Sequence, residues 1–172
     1  MWIDRDVLKE NYTQEIEGIL AKYPRDQKRS AVMPLLFLAQ REYGSLSPEA
    51  ISEVGDLLGL QSTEVASLVG FYTLYHDRKG GKYRVQVCTD LPCALRGAQV
   101  FADELCDKLD ISMGETTPDG QVTVEEVKCL AACDHAPMFQ LQEPNGIHYH
   151  EDQSVGSALA LIEALRVKGQ VD

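Results

Sequence analysis

Along the first part of the chain apolar residues recur every three to four positions, the period of a helix that buries one face. The stretch DVLKENYTQEIEGILAKY places Val7, Leu8, Ile16, Ile19 and Leu20 near that spacing, and Pro24 follows its end. It predicts one helix. A second is predicted in SAVMPLLFLAQREYG, where Pro34 falls in the first turn, which tolerates a missing N–H, and Gly44 supplies the stop. In SPEAISEVGDLLG, Ser47 is the expected N-cap, Pro48 the first helical residue and Gly59 the terminator. Its Ile51, Val54, Leu57 and Leu58 form one apolar stripe. A fourth helix, capped by Ser62 or Thr63, carries Val65, Leu68 and Val69 into FYTLY. This first region predicts a small helical bundle.

After DRKGGK, a boundary signal, the period changes. YRVQVC alternates apolar and polar residues as a strand does, and downstream of Cys93 a helical stripe follows through Ala98, Phe101, Leu105 and Leu109. QVTVEEVKC alternates again, MFQLQ and IHYH flank the turn EPNG as a hairpin, and SVGSALALIEAL presents Val155, Ala158, Leu159 and Ile162 on a last helix. The order is β-α-β-β-β-α. A single helix between the first two strands implies a parallel crossover, and the whole predicts a two-layer α/β domain whose order matches a thioredoxin-like core. The expected division is a helical region over residues 1–78 and the α/β domain over residues 79–172.

Composition narrows the function. The chain has 172 residues, 44% hydrophobic and 25% charged, as a folded globular protein does. Its net charge of −11 argues against binding a nucleic-acid backbone. The longest apolar run, AVMPLLFLA, is about half of what a membrane span needs and contains Pro34. The start, MWIDRDVLKE, mixes acids and bases and resembles neither a secretory signal nor a transit peptide, so the chain reads as cytoplasmic or already mature. No G-x-G-x-x-G or G-x-x-x-x-G-K-[ST] occurs, and KGGK lacks the strand and helix that a phosphate loop requires. The chain is not expected to bind NADH or flavin by itself.

Chemistry concentrates in the cysteines. CTDLPC holds Cys88 and Cys93, and CLAAC holds Cys129 and Cys133. Cys88 is expected to end the first strand and Cys93 to open the following helix, Cys129 to end the second strand and Cys133 to lie in the loop leading to Pro137, so neighbouring strands would bring both pairs to one sheet edge. A disulfide framework is not expected without a secretory signal. A thioredoxin-type dithiol needs C-x-x-C, which the sequence lacks. Zinc held by four cysteines remains an alternative, although its knuckles usually have shorter gaps. A 2Fe-2S cluster suits two pairs, each able to chelate one iron, with helix and loop N–H groups offsetting its negative charge. Arg96 and Lys128 stand beside the pairs as candidate charges with the same effect. Cys106 lies on a helical stripe away from both pairs and reads as a small packed hydrophobe. His135 reads as a loop residue, and His148 and His150 as exposed on one strand face. Phe71, Tyr72 and Tyr75 suit a core and a partner surface equally.

The pattern C-x4-C followed by C-L-x-x-C-x-x-A-P, together with LLFLAQREYGSLSPEAI and GFYTLY upstream, resembles the E-type subunit family of NADH-quinone oxidoreductase, the small iron–sulfur subunit of respiratory complex I. The resemblance spans roughly residues 15–165. It implies an α/β fold in which an N-terminal helical bundle precedes a thioredoxin-like 2Fe-2S ferredoxin domain. By the same resemblance Cys88, Cys93, Cys129 and Cys133 ligate one 2Fe-2S cluster. The implied role is that of an electron-transfer subunit, not catalytic alone, which exchanges single electrons with the FMN of a partner flavoprotein that binds NADH. The helical region would be the docking element. The implied setting is peripheral, at the cytoplasmic face of the inner membrane, through the other peripheral-arm subunits. Ala131 stands where the family often has glycine, and Gln140 and Gln142 where it commonly has an asparagine. A soluble NAD-linked hydrogenase or formate dehydrogenase has an equivalent diaphorase subunit, and a zinc-stabilised interaction module is the rival of another class.

Overall fold

The computed structural model describes residues 7–144 and 146–169; Asp6, at the start of the first expected helix, and Asn145, in the expected turn, lie outside them. Two units divide between Lys79 and Gly80. In the first, the single helix expected at the start is two, α1 (Val7–Asn11) and α2 (Thr13–Leu20). The break is at Tyr12, with φ −126° and ψ 25°. There the Thr13 hydroxyl donates to the Lys9 carbonyl, competing with the helical ladder, and the Tyr12 hydroxyl donates to Glu42 at 2.5 Å. A 3-10 turn, Lys28–Ala31, leads into α3 (Val32–Tyr43), with Pro34 in its first turn and Gly44 at φ 75° as its stop. In α4 (Pro48–Leu58) the Ser47 hydroxyl accepts the Ala50 N–H at 3.3 Å, and Gly59 ends the helix at φ 67°. The next helix, α5 (Ser62–Phe71), is capped by neither Ser62 nor Thr63: Gln61 is the N-cap, and the Glu64 carboxylate accepts its N–H at 3.3 Å. Ser62 is already helical, and its hydroxyl donates to that of Ser52. Leu8, Ile16, Leu35, Leu36, Val54 and Val65 meet in the core of this unit.

The second unit runs β1 (Tyr83–Cys88), α6 (Leu91–Ala94), α7 (Ala98–Leu109), β2 (Val122–Val127), β3 (Phe139–Glu143), β4 (Gly146–His150) and α8 (Val155–Gly169). The element between β1 and β2, expected as one helix, is broken at Gly97, whose φ of 88° suits glycine. The strands form a four-stranded sheet in the order β2-β1-β3-β4. β1 pairs parallel with β2, Tyr83 against Val122 through Cys88 against Val127, and antiparallel with β3, Val87 against Phe139. β3 and β4 form the expected antiparallel hairpin.

Strand alternation divides the sheet into two faces. Tyr83, Val85 and Val87 pack with Phe101 and Leu105 of α7 and Ile162 of α8. The opposite face is polar although buried: Arg84 is ion-paired to Glu125, and Gln86 accepts from Gln140 at 2.9 Å and Gln142 at 2.8 Å. All six β1 positions are buried, one face under α7 and α8 and the other among polar side chains that bond to one another, so its alternation separates two kinds of interior. KGGK also finds its use here. A Cβ on Gly81 would lie 2.5 Å from the Gln121 carbonyl oxygen, and the Gly81 N–H donates to Thr123 Oγ1 at 2.7 Å. These contacts demand a residue without a side chain.

The helical unit also buries a carboxylate. Glu53 on α4 is 3% exposed; its Oε1 accepts the Leu8 N–H at 2.7 Å and its Oε2 the Tyr43 hydroxyl at 2.5 Å. Burial, and secondarily this bond to Glu53, raises the Tyr43 pKa and keeps its hydroxyl a donor. One side chain thus ties α1, α3 and α4 together. Glu53→Ala is expected to lower the unfolding free energy by roughly 2–4 kcal/mol, because two donors lose their acceptor, and Glu53→Gln by about half of that. Urea unfolding followed by circular dichroism measures both.

Candidate metal centre

The strand order decides where the cysteines go. β1 and β2 run parallel and end on the same side, while β3 returns antiparallel on the far side of β1. The segment from Lys128 to Met138 must therefore cross the end of β1, where Cys88 sits. It carries Cys133 to the first pair, with Cys129 near its start.

Cys88 ends β1 and Cys93 lies in α6; both are buried. Cys133 opens a 3-10 turn, Cys133–His135, and is half-buried. The Cys93 thiol lies beside those of Cys88 and Cys133, and its pKa is pushed up to about 12, mainly by burial and then by these neighbours. Val127, Leu130, Ala132, Ala136 and Met138 surround the group with apolar surface. Cys129 stands at the outer edge, exposed, with φ 45°. Among the described residues no three His, Cys, Asp or Glu side chains close on a point that would hold a single ion. Ala131 has φ 60°, the left-handed conformation glycine takes without strain, and the Ala136–Pro137 peptide is cis.

Side chains tie these loops to one another. Asp90 caps α6 and accepts the Leu91 N–H at 2.9 Å, so the helix end expected to offset negative charge near Cys93 already faces a carboxylate. Arg96 Nε donates to the Ala136 carbonyl at 3.2 Å, linking the first loop to the second. Lys128 is ion-paired to Glu126, which lessens its effect as a free charge; the Glu126 carboxyl is held below its usual range by Lys128 and then by Thr89. Thr89 and Glu126 are the contacts that sequence patterning missed. Only the strand register sets them side by side.

The remaining expected residues lie elsewhere. Cys106 is buried against Phe101 and Leu105 in the α7 core, where burial raises its thiol pKa. His135 is in a loop, its Nδ1 2.9 Å from Asp152. His148 is exposed and pairs with Glu143 at 3.2 Å. His150 departs from expectation: it is half-buried, stacked on Phe139 with centroids 5.0 Å apart, because the hairpin register sets it opposite that ring. Gln140 and Gln142 belong to the polar sheet network. Tyr75 is core, whereas Phe71 is 76% exposed and Tyr72 lies half-exposed beside it.

The model of the family described as thioredoxin-like [2Fe-2S] ferredoxin matches residues 16–166. The chain belongs to that family. This ferredoxin is 39% identical over 158 residues to the NADH-quinone oxidoreductase E-type subunit 2 of Rhizobium meliloti (strain 1021), covering 92% of this chain and 90% of the relative. It is 43% identical over 128 residues to NADH-quinone oxidoreductase subunit 2 of Thermus thermophilus, covering 74% of this chain and 71% of that one. Among solved structures, the NAD+-reducing [NiFe]-hydrogenase in its H2-reduced state shares the fold, with a TM-score of 0.58 at 21% identity over 77% of this chain. The match spans 22% of the hydrogenase chain. The thioredoxin-like α/β architecture expected from the element order is therefore the fold of this ferredoxin.

The donors at the crossing are thiols in an apolar lining, a set that suits iron–sulfur ligation. In the metal-free ferredoxin, a thiol-alkylating reagent is expected to modify Cys129 first and Cys133 next. Cys88, Cys93 and Cys106 should react at least ~10-fold more slowly, because burial keeps the reagent from them and, at Cys93 and Cys106, also disfavours the nucleophilic thiolate; mass spectrometry of the labelled peptides gives the order. Ala131→Gly is expected to raise the unfolding free energy by ~1 kcal/mol through relief of the left-handed backbone, read from the urea midpoint.

Proposed function

We propose that this ferredoxin is the electron-transfer subunit of an NADH-quinone oxidoreductase, with Cys88, Cys93, Cys129 and Cys133 as the ligands of one 2Fe-2S cluster. The reading rests on the loop that crosses the end of β1 and brings Cys133 to Cys88 and Cys93, with Cys129 in the same loop, in a chain of this family. NADH yields two electrons as a hydride to a flavin, and the bound cluster supplies a carrier that takes one at a time. The chain's own part is to present thiolates from two loops and to line them with apolar side chains that limit water. Leu130, Ala132 and Met138 serve the second purpose.

The flavin and NADH belong, in this reading, to a partner flavoprotein. The helical unit is its docking element, and the ferredoxin reaches the membrane only through the assembly. No helix among the described residues is long and apolar enough to cross a membrane. The relatives named as NADH-quinone oxidoreductase subunits support the choice of complex.

The purified, reconstituted protein is expected to be brown, with about two irons and two sulfides per chain, and to bleach on reduction. With the flavoprotein present, NADH should bleach it; without the partner it should not. Cys133→Ala should lose most of the iron, while Cys106→Ala should keep it. A colourless protein holding one zinc per chain would replace this reading with a structural metal module, and full iron retention in Cys133→Ala would remove Cys133 from the ligand set.

A further inference from the structure

Between the two cysteine loops lies a polar contact that the ligands themselves do not explain. Thr89 directly follows Cys88, and Lys128 directly precedes Cys129. Thr89 is 7% exposed, and its hydroxyl donates to Glu126 Oε1 at 2.5 Å. The same carboxylate receives the Lys128 ammonium, whose Nζ lies 3.4 Å from Thr89 Oγ1. The Thr89 N–H donates to the Val127 carbonyl at 3.3 Å, prolonging the parallel ladder past its last strand pair. Three side chains at the ends of two neighbouring strands therefore close a ring one residue from Cys88 on one side and one residue from Cys129 on the other.

Such a ring is more than an exposed ion pair. The pair between Lys128 and Glu126 alone would contribute little, since both side chains reach water. The Thr89 hydroxyl is different: it is buried, its acceptor is charged, and its partner is on the other strand, so a change at either position shifts one loop against the other. We propose that Thr89 and Glu126 are positioning residues that lock the ends of β1 and β2, fixing Cys88 relative to Cys129 and thereby controlling how firmly iron is retained. The inference rests on the assignment of these two cysteines as ligands. Residues that orient ligands from outside the coordination sphere commonly change metal retention by about 10- to 100-fold when replaced.

The test uses the reconstituted full chain and the rate at which a chelator in excess removes its iron, followed by visible absorption. Thr89→Val, which keeps the shape and removes the hydroxyl, should release iron about tenfold faster than the wild type, as should Glu126→Ala. Thr89→Ser, which restores a donor, should return close to the wild-type rate. The double variant Thr89→Val with Glu126→Ala should be no faster than either single one, because both break the same bond. Urea unfolding of the metal-free variants separates a local effect from a general loss of stability. Iron loss that tracks the unfolding midpoint across the set, wild-type release in both single variants, or a multiplicative double variant would each overturn the lock. A wild-type chain that takes up no iron would instead overturn the ligand assignment and the lock with it.

Discussion

The structure of the site depends on one constraint: β1 lies in the middle of the sheet, with a parallel neighbour on one side and an antiparallel neighbour on the other. Once β2 ends beside β1 and β3 must start beyond it, the connecting segment has to pass over the end of β1. Cys88 is the last residue of that strand. That two cysteine pairs far apart in sequence lie at one end of the sheet is therefore a result of topology. Any insertion that let β3 pair outside β2 would separate the pairs without touching a thiol.

The supporting contacts can be understood from the same crossing. A loop passing over a strand end leaves backbone and side-chain groups without ladder partners, and the chain meets them with specific bonds. Arg96 takes the Ala136 carbonyl, the Asp152 N–H donates to the His135 carbonyl at 2.8 Å, and the Gln153 N–H donates to that of Pro137 at 2.7 Å. The second loop is thus held from the α6 side and from the segment after β4. Beneath it the polar sheet face holds Gln86 between two glutamines, in the same β1 row as Cys88. Buried polar groups are tolerated there because they satisfy one another.

What the sequence revealed was what is local. Pro34, Gly44, Ser47 and Gly59 mark helix ends through their own backbone chemistry, and the structure has those ends where the residues predict. The element order, the hairpin and the spacing of the cysteines were legible for the same reason. The break at Tyr12 was not, because its hydroxyl acts on Glu42, thirty residues away. Neither was the role of Glu53, which looks like an ordinary surface acid on α4 until α1 is folded against it. Thr89 and Glu126 were hidden because alternation tells which face a side chain takes and not which residue stands opposite; that needs the register of Cys88 against Val127. His150 read as exposed because strand alternation does not reveal that Phe139 will be its neighbour.

The crossing loop also sets an order of events in folding. Before β3 pairs with β1, the far end of the segment that carries Cys129 and Cys133 lacks its strand partner beside Cys88. β3 is synthesised after β1 and β2, and its pairing with β1 is a long-range contact that forms slowly compared with helices. In a young chain the two cysteine pairs are therefore still apart. The two pairs reach one end of the sheet only after it has closed.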